Sequence, residues 1–455
     1  MYVADTIAAI ATPVGSGGIG IIRVSGSDAA GIAERIFVRK GNGGLESHRF
    51  YYGHIVDPDS GDLIDEGMAV LMRNPRSYTR EDVLEVHCHG GYLVVQKVLE
   101  ACLRAGARLS DPGEFTRRAF LNGRIDLCQA ESVMHLINSR TDMSLAYAQS
   151  QREGALSQRL GEIVSYLRTA LALIEAFIDF PEDDLDEAAL KSIGENVTSG
   201  RDRLVSLLAT FEHGRVLQEG VSVLLAGKPN VGKSSLLNAL AADQRAIVSH
   251  IPGTTRDIIE EVISIEGLPV RIIDSAGIRQ AHDEVEQEGI RRSLEKLALA
   301  DLVLFILDGS RSFDEQDSGI VSAIADKRCI AVINKSDLPT VAHLRGLPSG
   351  TPVVNISTKT GIGLDELRTA VFNSFVHEKV LSQDHVAIST VRHRDIVVRA
   401  LQGLDAFERQ FNAGVSGELL AIDLRGSLSA LGEITGETTP DSILDIIFSS
   451  FCIGK

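Results

Sequence analysis

Residues 221–237 read VSVLLAGKPNVGKSSLL, and the rest of the chain is organised around them. The Val- and Leu-rich run has the continuous apolar character of a buried parallel strand. It passes through Gly227-Lys-Pro-Asn-Val-Gly232-Lys233-Ser234 into a helical pattern, the strand–loop–helix setting that a phosphate-binding loop needs. The glycines let successive backbone N–H groups turn toward one centre, and the helix start adds the positive end of its dipole. Within Asn230, Val231, Gly232, Lys233, Ser234 and Ser235, Lys233 is expected to reach the outer phosphates and the Ser234 hydroxyl to ligate magnesium. Alone, the pattern also fits an ordinary glycine-rich turn.

Three downstream segments argue against that turn. Arg271-Ile-Ile-Asp274-Ser275-Ala276-Gly277 places an acid at the end of a second apolar strand, suited to magnesium, then a glycine whose N–H can face a terminal phosphate. Ile330-Ala-Val-Ile-Asn334-Lys335-Ser336-Asp337 ends a further strand in a carboxylate. Such a carboxylate accepts from both the ring N–H and the exocyclic amine of guanine, whereas adenine offers the wrong donors. Val353-Val-Asn-Ile-Ser357-Thr358-Lys359 ends a last strand and is expected to brace the guanine carbonyl through a backbone N–H. All lie at strand C-terminal ends, where open α/β sheets bind ligands. The expectation is a guanine-nucleotide site.

Two features set this site apart. Ile278 follows Gly277, where many GTPases place a glutamine that orients the attacking water; an aliphatic side chain cannot hold water. The carboxylates of Asp283-Glu284-Val-Glu286-Gln-Glu288 lie just downstream, though most members of such a run simply face solvent. The second feature is Ser249-His250-Ile251-Pro252-Gly253-Thr254-Thr255, ending 22 residues after Lys233. A loop there can bring a threonine hydroxyl onto magnesium and order itself around the γ-phosphate. The Asn230 amide oxygen, with other oxygens converging on it, would suit a monovalent cation.

The 455-residue chain has room for two to four domains, and its 44% hydrophobic and 24% charged content is that of a globular protein. No apolar run is long enough to cross a bilayer, and the N-terminal residues have neither a basic signal-peptide start nor an Arg/Ser-rich transit character. Five scattered cysteines without CxxC spacing fit reduced thiols in a cytoplasmic setting. A net charge of −17 disfavours broad nonspecific nucleic-acid binding. Residues 1–125 hold 14 Lys+Arg against 15 Asp+Glu, so −16 falls on the remainder.

The expected fold is multidomain, α/β plus all-α. Residues 1–122 read as a mixed α/β domain, with strands at Thr6–Ala11, Ile19–Val24, Met68–Met72 and from Val83, and a helix from Val94 to Leu103. Gly15-Ser-Gly17-Gly18 leads into a strand rather than a helix, so it reads as a turn and not a dinucleotide loop. His87, Cys88 and His89 alternate across a strand and read as structural. Residues 123–216 form a first helical half, its stripe running Leu156, Leu160, Ile163, Leu167, Leu171 and Ile174, then a second helix with apolar positions from Leu190 to Phe211. Residues 217–378 are the inserted P-loop domain with a mostly parallel sheet. Residues 379–455 complete the helical domain, with Thr439-Pro440-Asp441 as the start signal of the last helix.

GKPNVGKSS, PGTTRD, DSAG and NKSD, the stretch Pro112-Gly-Glu-Phe-Thr-Arg-Arg-Ala-Phe-Leu-Asn-Gly, Asp126–Glu131, and above all the terminal Phe451-Cys452-Ile453-Gly454-Lys455 resemble the MnmE/TrmE family of tRNA-modification GTPases over the whole chain. The resemblance implies a potassium-stimulated, magnesium-dependent GTPase whose nucleotide domains pair in a homodimer. It implies a FAD-dependent MnmG/GidA-like partner and tRNA, engaged mainly through that complex. The product would be an aminomethyl or carboxymethylaminomethyl group at C5 of the wobble uridine, its carbon taken from 5-formyltetrahydrofolate or a related folate. On this sequence, Asn230, Ser249, Ile251 and Thr254 would hold potassium, Ser234 and Thr255 magnesium, and Glu286 would orient the water. Arg23, Glu85, Arg124 and Lys455 would bind folate in the N-terminal domain, which in the family also dimerises. Ser275 stands where the family usually has threonine and keeps the hydroxyl. Cys452 reads as a buried thiol near the terminal tail, open to a catalytic or a structural role, with the structural one favoured. The rival readings are an RNA-binding ribosome-assembly switch, for which no GXXG module is visible, and a nucleotide-binding scaffold without turnover.

Overall fold

The computed structural model describes residues 5–13, 15–41, 43–179, 187–242, 261–274, 297–342, 344–375 and 386–454. The chain forms two compact units, one of Met1–Met134 with Ser429–Lys455, the other His135–Leu428.

In the first unit, strands β1 (Ile7–Ile10), β2 (Gly17–Ser25), β3 (Phe37–Arg39), β4 (Phe50–Val56), β5 (Leu63–Met72), β6 (Val83–Gly90) and β7 (Arg108–Leu109) form one sheet ordered β3-β4-β5-β6-β2-β1-β7. Pairing is antiparallel except between β1 and β7. Alternation along the strands sends Ile22, Val24, Leu84, Val86 and Cys88 into a core shared with Ile32 and Val98 of the helices Ala29–Ile36 and Tyr92–Arg104. The same alternation leaves Arg23 and its register partner Glu85 on the other side of the sheet. Gly17 and Gly18, expected in a turn, already belong to β2. The last helix, Asp441–Ser449, buries Leu444 and Phe448 against Leu127 and Ala130. Thr439 does not cap it: Pro440 holds the N-cap position, and the Thr439 hydroxyl donates to the Glu433 carbonyl at 2.8 Å.

The second unit carries the helices Ala155–Asp179 and Glu187–Leu208, whose facing stripes bury Leu156, Leu160, Ile163 and Leu167 on one and Ile193, Val197 and Leu204 on the other. The second stripe does not continue to Phe211 as one helix. The Thr210 hydroxyl donates to the Leu207 carbonyl at 2.6 Å, and a new helix runs Phe211–Glu219. The acidic turn expected at 182–186 lies outside the described residues.

The same unit contains a second sheet of β8 (Val221–Ala226), β9 (Glu261–Ile265), β10 (Leu268–Asp274), β11 (Leu302–Asp308), β12 (Cys329–Asn334) and β13 (Val353–Asn355), ordered β13-β12-β11-β8-β10-β9. All neighbours are parallel except β9 and β10. Every residue of β11 and β12 is buried, as expected of central parallel strands covered on both faces.

Candidate functional site

The nucleotide motifs meet where β8, β10, β11 and β12 end. Between β8 and the helix Lys233–Ala242, the loop takes positive φ at Gly227 (151°), Asn230 (65°) and Gly232 (103°). A Cβ on Gly232 would stand 2.2 Å from Asn334 Nδ2, so glycine is required by space as well as by φ. The Lys233 ammonium donates to the carbonyls of Gly227 (2.7 Å) and Lys228 (2.8 Å). It is thus held over the loop in which phosphate-facing donors lie. Asn230 is exposed on the rim, and Ser234 and Ser235 lie in the first turn of the helix.

Asn334 is the junction of this site. Fully buried at the end of β12, it donates from Nδ2 to the Val231 carbonyl at 2.8 Å. Its Oδ1 accepts from the N–H groups of Lys335 (2.8 Å) and Thr358 (3.2 Å). One amide therefore joins the phosphate loop to both guanine-side segments. Asp337 accepts from the Ser357 hydroxyl at 2.7 Å, and that hydrogen bond holds its carboxyl below the usual range. The carboxylate is fixed in its ionised form, as an acceptor for a guanine edge must be.

Within the segment expected to brace the base, the Ser357 N–H donates to the Ile362 carbonyl at 2.9 Å and closes its own turn, while the Ser357 hydroxyl holds Asp337. One residue was not singled out from the sequence. Asp308 ends β11 buried, accepting from Lys335 Nζ at 2.6 Å and from the Ser310 hydroxyl at 2.6 Å. Burial would raise its carboxyl, but the hydrogen bonds from Lys335 and Ser310 outweigh it. Its only sequence signal is an acid closing an apolar strand.

Asp274 closes β10 in register with Leu225 of β8. Ser249, His250, Ile251, Pro252, Gly253, Thr254, Thr255, Ser275, Ala276, Gly277, Glu286 and Lys455 lie outside the described residues.

In the first unit Arg23, Glu85 and Arg124, three of the four expected folate residues, converge. Arg23 reaches Glu85 Oε1 through Nε (2.9 Å) and a terminal nitrogen (2.8 Å), and donates to the Gly454 carbonyl of the tail at 3.4 Å. The guanidinium groups of Arg23 and Arg124 lie 5.8 and 5.0 Å from the centroid of the Tyr78 ring. Tyr78, absent from the sequence reading, links them. His87 lowers the Glu85 carboxyl, burial raises it, and the Arg23 charge tips the balance downward. His87 Nε2 is buried 3.7 Å from Glu85, beyond hydrogen-bond reach. Nearby, Arg118 is 1% exposed and ion-paired to Asp5, Glu81 and Glu114, a scaffold for the Pro112–Gly123 segment.

His87, Cys88 and His89 do not form a ligand set: Cys88 is buried, its thiol pushed up to about 11 by burial, while His89 pairs with Asp65 at the surface. Among the described residues no group of three or more His, Cys, Asp or Glu stands ready for a metal. Cys452 is exposed rather than buried. Phe451 takes the core position, and the Cys452 carbonyl accepts the Gly113 N–H at 3.3 Å, which leaves the thiol outside.

Comparison with known proteins is consistent along the chain. The family profile described as "GTP-binding protein TrmE N-terminus" matches residues 6–124, and that described as "MnmE helical domain" matches residues 127–452. The chain is 59% identical over 456 residues to the tRNA modification GTPase MnmE of Geobacter sulfurreducens, covering 100% of both chains. It is 44% identical over 459 residues to that of Acetivibrio thermocellus, again covering 100% of both. Among solved structures, the G domain of the FeoB iron transporter of T. maritima aligns at 29% identity, covering 34% of this chain and 97% of that one, with a TM-score of 0.25.

Proposed function

This chain belongs to the MnmE/TrmE family of tRNA modification GTPases, and from that premise we propose that it hydrolyses GTP with potassium and magnesium to drive a folate-dependent modification of wobble uridine. The observation that carries the reading is the end-to-end identity of 59% with a tRNA modification GTPase, supported by a phosphate loop, a guanine-side carboxylate and a joining amide in one place.

GTP enters with its phosphates against the N–H groups of the loop and of the helix start, and its base against Asp337. Water attacks the γ-phosphorus, and the bond to the bridging oxygen breaks with its electrons leaving on GDP. Ser234 and Thr255 would hold magnesium in this reading. Asn230, Ser249, Ile251 and Thr254 would hold potassium, whose charge would offset that building on the phosphates. Of these four only Asn230 lies among the described residues, and it stands exposed in a left-handed turn at the rim of the loop. Glu286 orients the water in place of the glutamine that Ile278 displaces. Glu286→Ala is expected to abolish turnover while GTP still binds; unchanged turnover would remove that residue from the mechanism.

In the first unit Arg23, Glu85, Arg124 and Lys455 bind the folate. A carboxylate paired to arginine matches the amide-and-amine edge of a pterin, and guanidinium groups match the carboxylates of a folate's glutamate tail. The buried Nε2 of His87 in the same place, 3.7 Å from Glu85 and without a hydrogen-bond partner, is a polar atom that a ligand would satisfy. The folate supplies the one-carbon unit. We assign domains at 1–122, 123–216, 217–378 and 379–455, a homodimer, a FAD-dependent MnmG/GidA-like partner that brings tRNA, and a cytoplasmic location. Among the described residues no helix is long and apolar enough to cross a membrane. Deleting the gene in its host and examining wobble uridines by mass spectrometry tests the whole: loss of the C5 group is expected, and intact modification would overturn it.

A further inference from the structure

The phosphate loop is held at two points, and only one belongs to the nucleotide motifs described above. The first is Val231, whose carbonyl is bound by Asn334. The second is Lys228, which follows the first loop glycine. Its ammonium lies 2.7 Å from Asp314 Oδ2 and 2.7 Å from Asp317 Oδ2. Both acids open the helix Glu315–Ala323. Asp314 caps it, accepting from the N–H groups of Gln316 and Asp317, and Asp317 returns the contact by accepting the Asp314 N–H at 3.2 Å. The capping box thus fixes both carboxylates relative to the backbone.

These carboxylates are not equivalent. Asp314 is half exposed, whereas the Asp317 side chain is 2% exposed, with Oδ1 lacking any hydrogen-bond partner. A buried carboxylate that loses its cation is strongly disfavoured, so Lys228 is kept in place from below. Its backbone is then fixed as well. The Lys228 carbonyl is one of the two acceptors that hold the Lys233 ammonium, at 2.8 Å. A loop with three positive-φ residues has little regular hydrogen bonding of its own and needs such outside anchors.

We infer that the Lys228–Asp317 ion pair, braced by Asp314, is a positioning device for GTP hydrolysis: it sets the phosphate loop and the resting place of Lys233 without touching the nucleotide. It acts on the phosphate end, whereas the guanine-side carboxylate Asp337 is held by the Ser357 hydroxyl and not by the loop.

The test measures GTP, GDP and ITP affinity of the full chain with fluorescent nucleotide analogues, alongside thermal melting without nucleotide. Asp317→Asn and Lys228→Met are each expected to weaken GTP and GDP about 10-fold, about 1.4 kcal/mol, with the GTP-to-ITP ratio unchanged. Lys228→Arg should restore binding to near the wild-type level. The double variant should be no weaker than the worse single one, because both remove the same pair. If Asp317→Asn does not fold, Asp314→Asn keeps the helix cap and removes one of the two carboxylates, and is expected to weaken GTP and GDP about 2-fold to 3-fold. Wild-type affinity in folded Lys228→Met, additive effects in the double variant, or a loss that changes the GTP-to-ITP ratio would each overturn the inference.

Discussion

The phosphate loop and the Arg23 cluster both present themselves to anions, by opposite means. In the loop, recognition rests on backbone: three residues take positive φ ahead of a helix start, with the Lys233 ammonium held over the loop carbonyls. In the cluster, recognition is a property of side chains gathered from distant segments, with Arg23, Tyr78, Glu85 and Arg124 meeting the tail at Gly454. A backbone site fails through sterics and is insensitive to most side-chain changes; a side-chain site fails through charge and tolerates none of its cations being lost.

That contrast can be pushed hardest at the guanine end, where the reading depends on the side-chain charge of Asp337. Asp337→Asn should cost two hydrogen bonds to a charged acceptor at about 1.5–3 kcal/mol each, lowering GTP affinity by about 10²–10⁴-fold and favouring xanthine nucleotides, as competition binding would show. An unchanged preference for guanine would mean that the base is read elsewhere. In the loop proper, Gly232→Ala drives a methyl to 2.2 Å from Asn334 Nδ2 at a φ of 103°. Turnover should fall about 10²–10³-fold, the scale of losing an aligned donor, without any change of charge; steady-state kinetics at normal activity would break the backbone account.

In the other unit, Arg118→Ala leaves Asp5, Glu81 and Glu114 without their shared cation. A loss of about 3–5 kcal/mol is expected, read as a lower unfolding temperature for the first unit. Finally, Glu85 is held below its ordinary value of 4.5. A carboxyl depressed on folding contributes stability that is fully present above its unfolded value and is lost as pH falls through its folded one. Acid titration of the first unit should therefore show destabilisation beginning below about 4.5, and Glu85→Gln should flatten it.

The same contrast explains what was legible beforehand. The nucleotide site announces itself because its geometry is local: a strand, a glycine loop and a helix are contiguous in sequence, and Asn334 closes a fully buried strand. Asn334 was identifiable, but its bond to the Val231 carbonyl spans 103 positions and had to be seen. That the Ser357 N–H closes its own turn could not be read beforehand, because it depends on where Ile362 falls. Asp308 escaped notice because one acid after an apolar strand is ordinary until Lys335 is brought to it. In the first unit, composition and periodicity marked none of Arg23, Glu85 or Arg124. Only family resemblance did, since a lone charge reads as surface until register pairs it. Tyr78, Arg118 and the exposure of Cys452 follow from packing between segments that are not adjacent in sequence, and no local pattern carries that. The split at Thr210 came from a side chain bonding back to Leu207, a competition that apolar periodicity does not register.

The most direct trial of the account is GTP turnover by the intact protein in potassium against sodium buffer at equal ionic strength, for wild type and Asn230→Ala. Potassium should accelerate the wild type toward the scale an arginine finger provides, about 10³–10⁵-fold, and the Asn230→Ala variant should turn over equally slowly in both salts. Equal rates for the wild type in the two salts would contradict it.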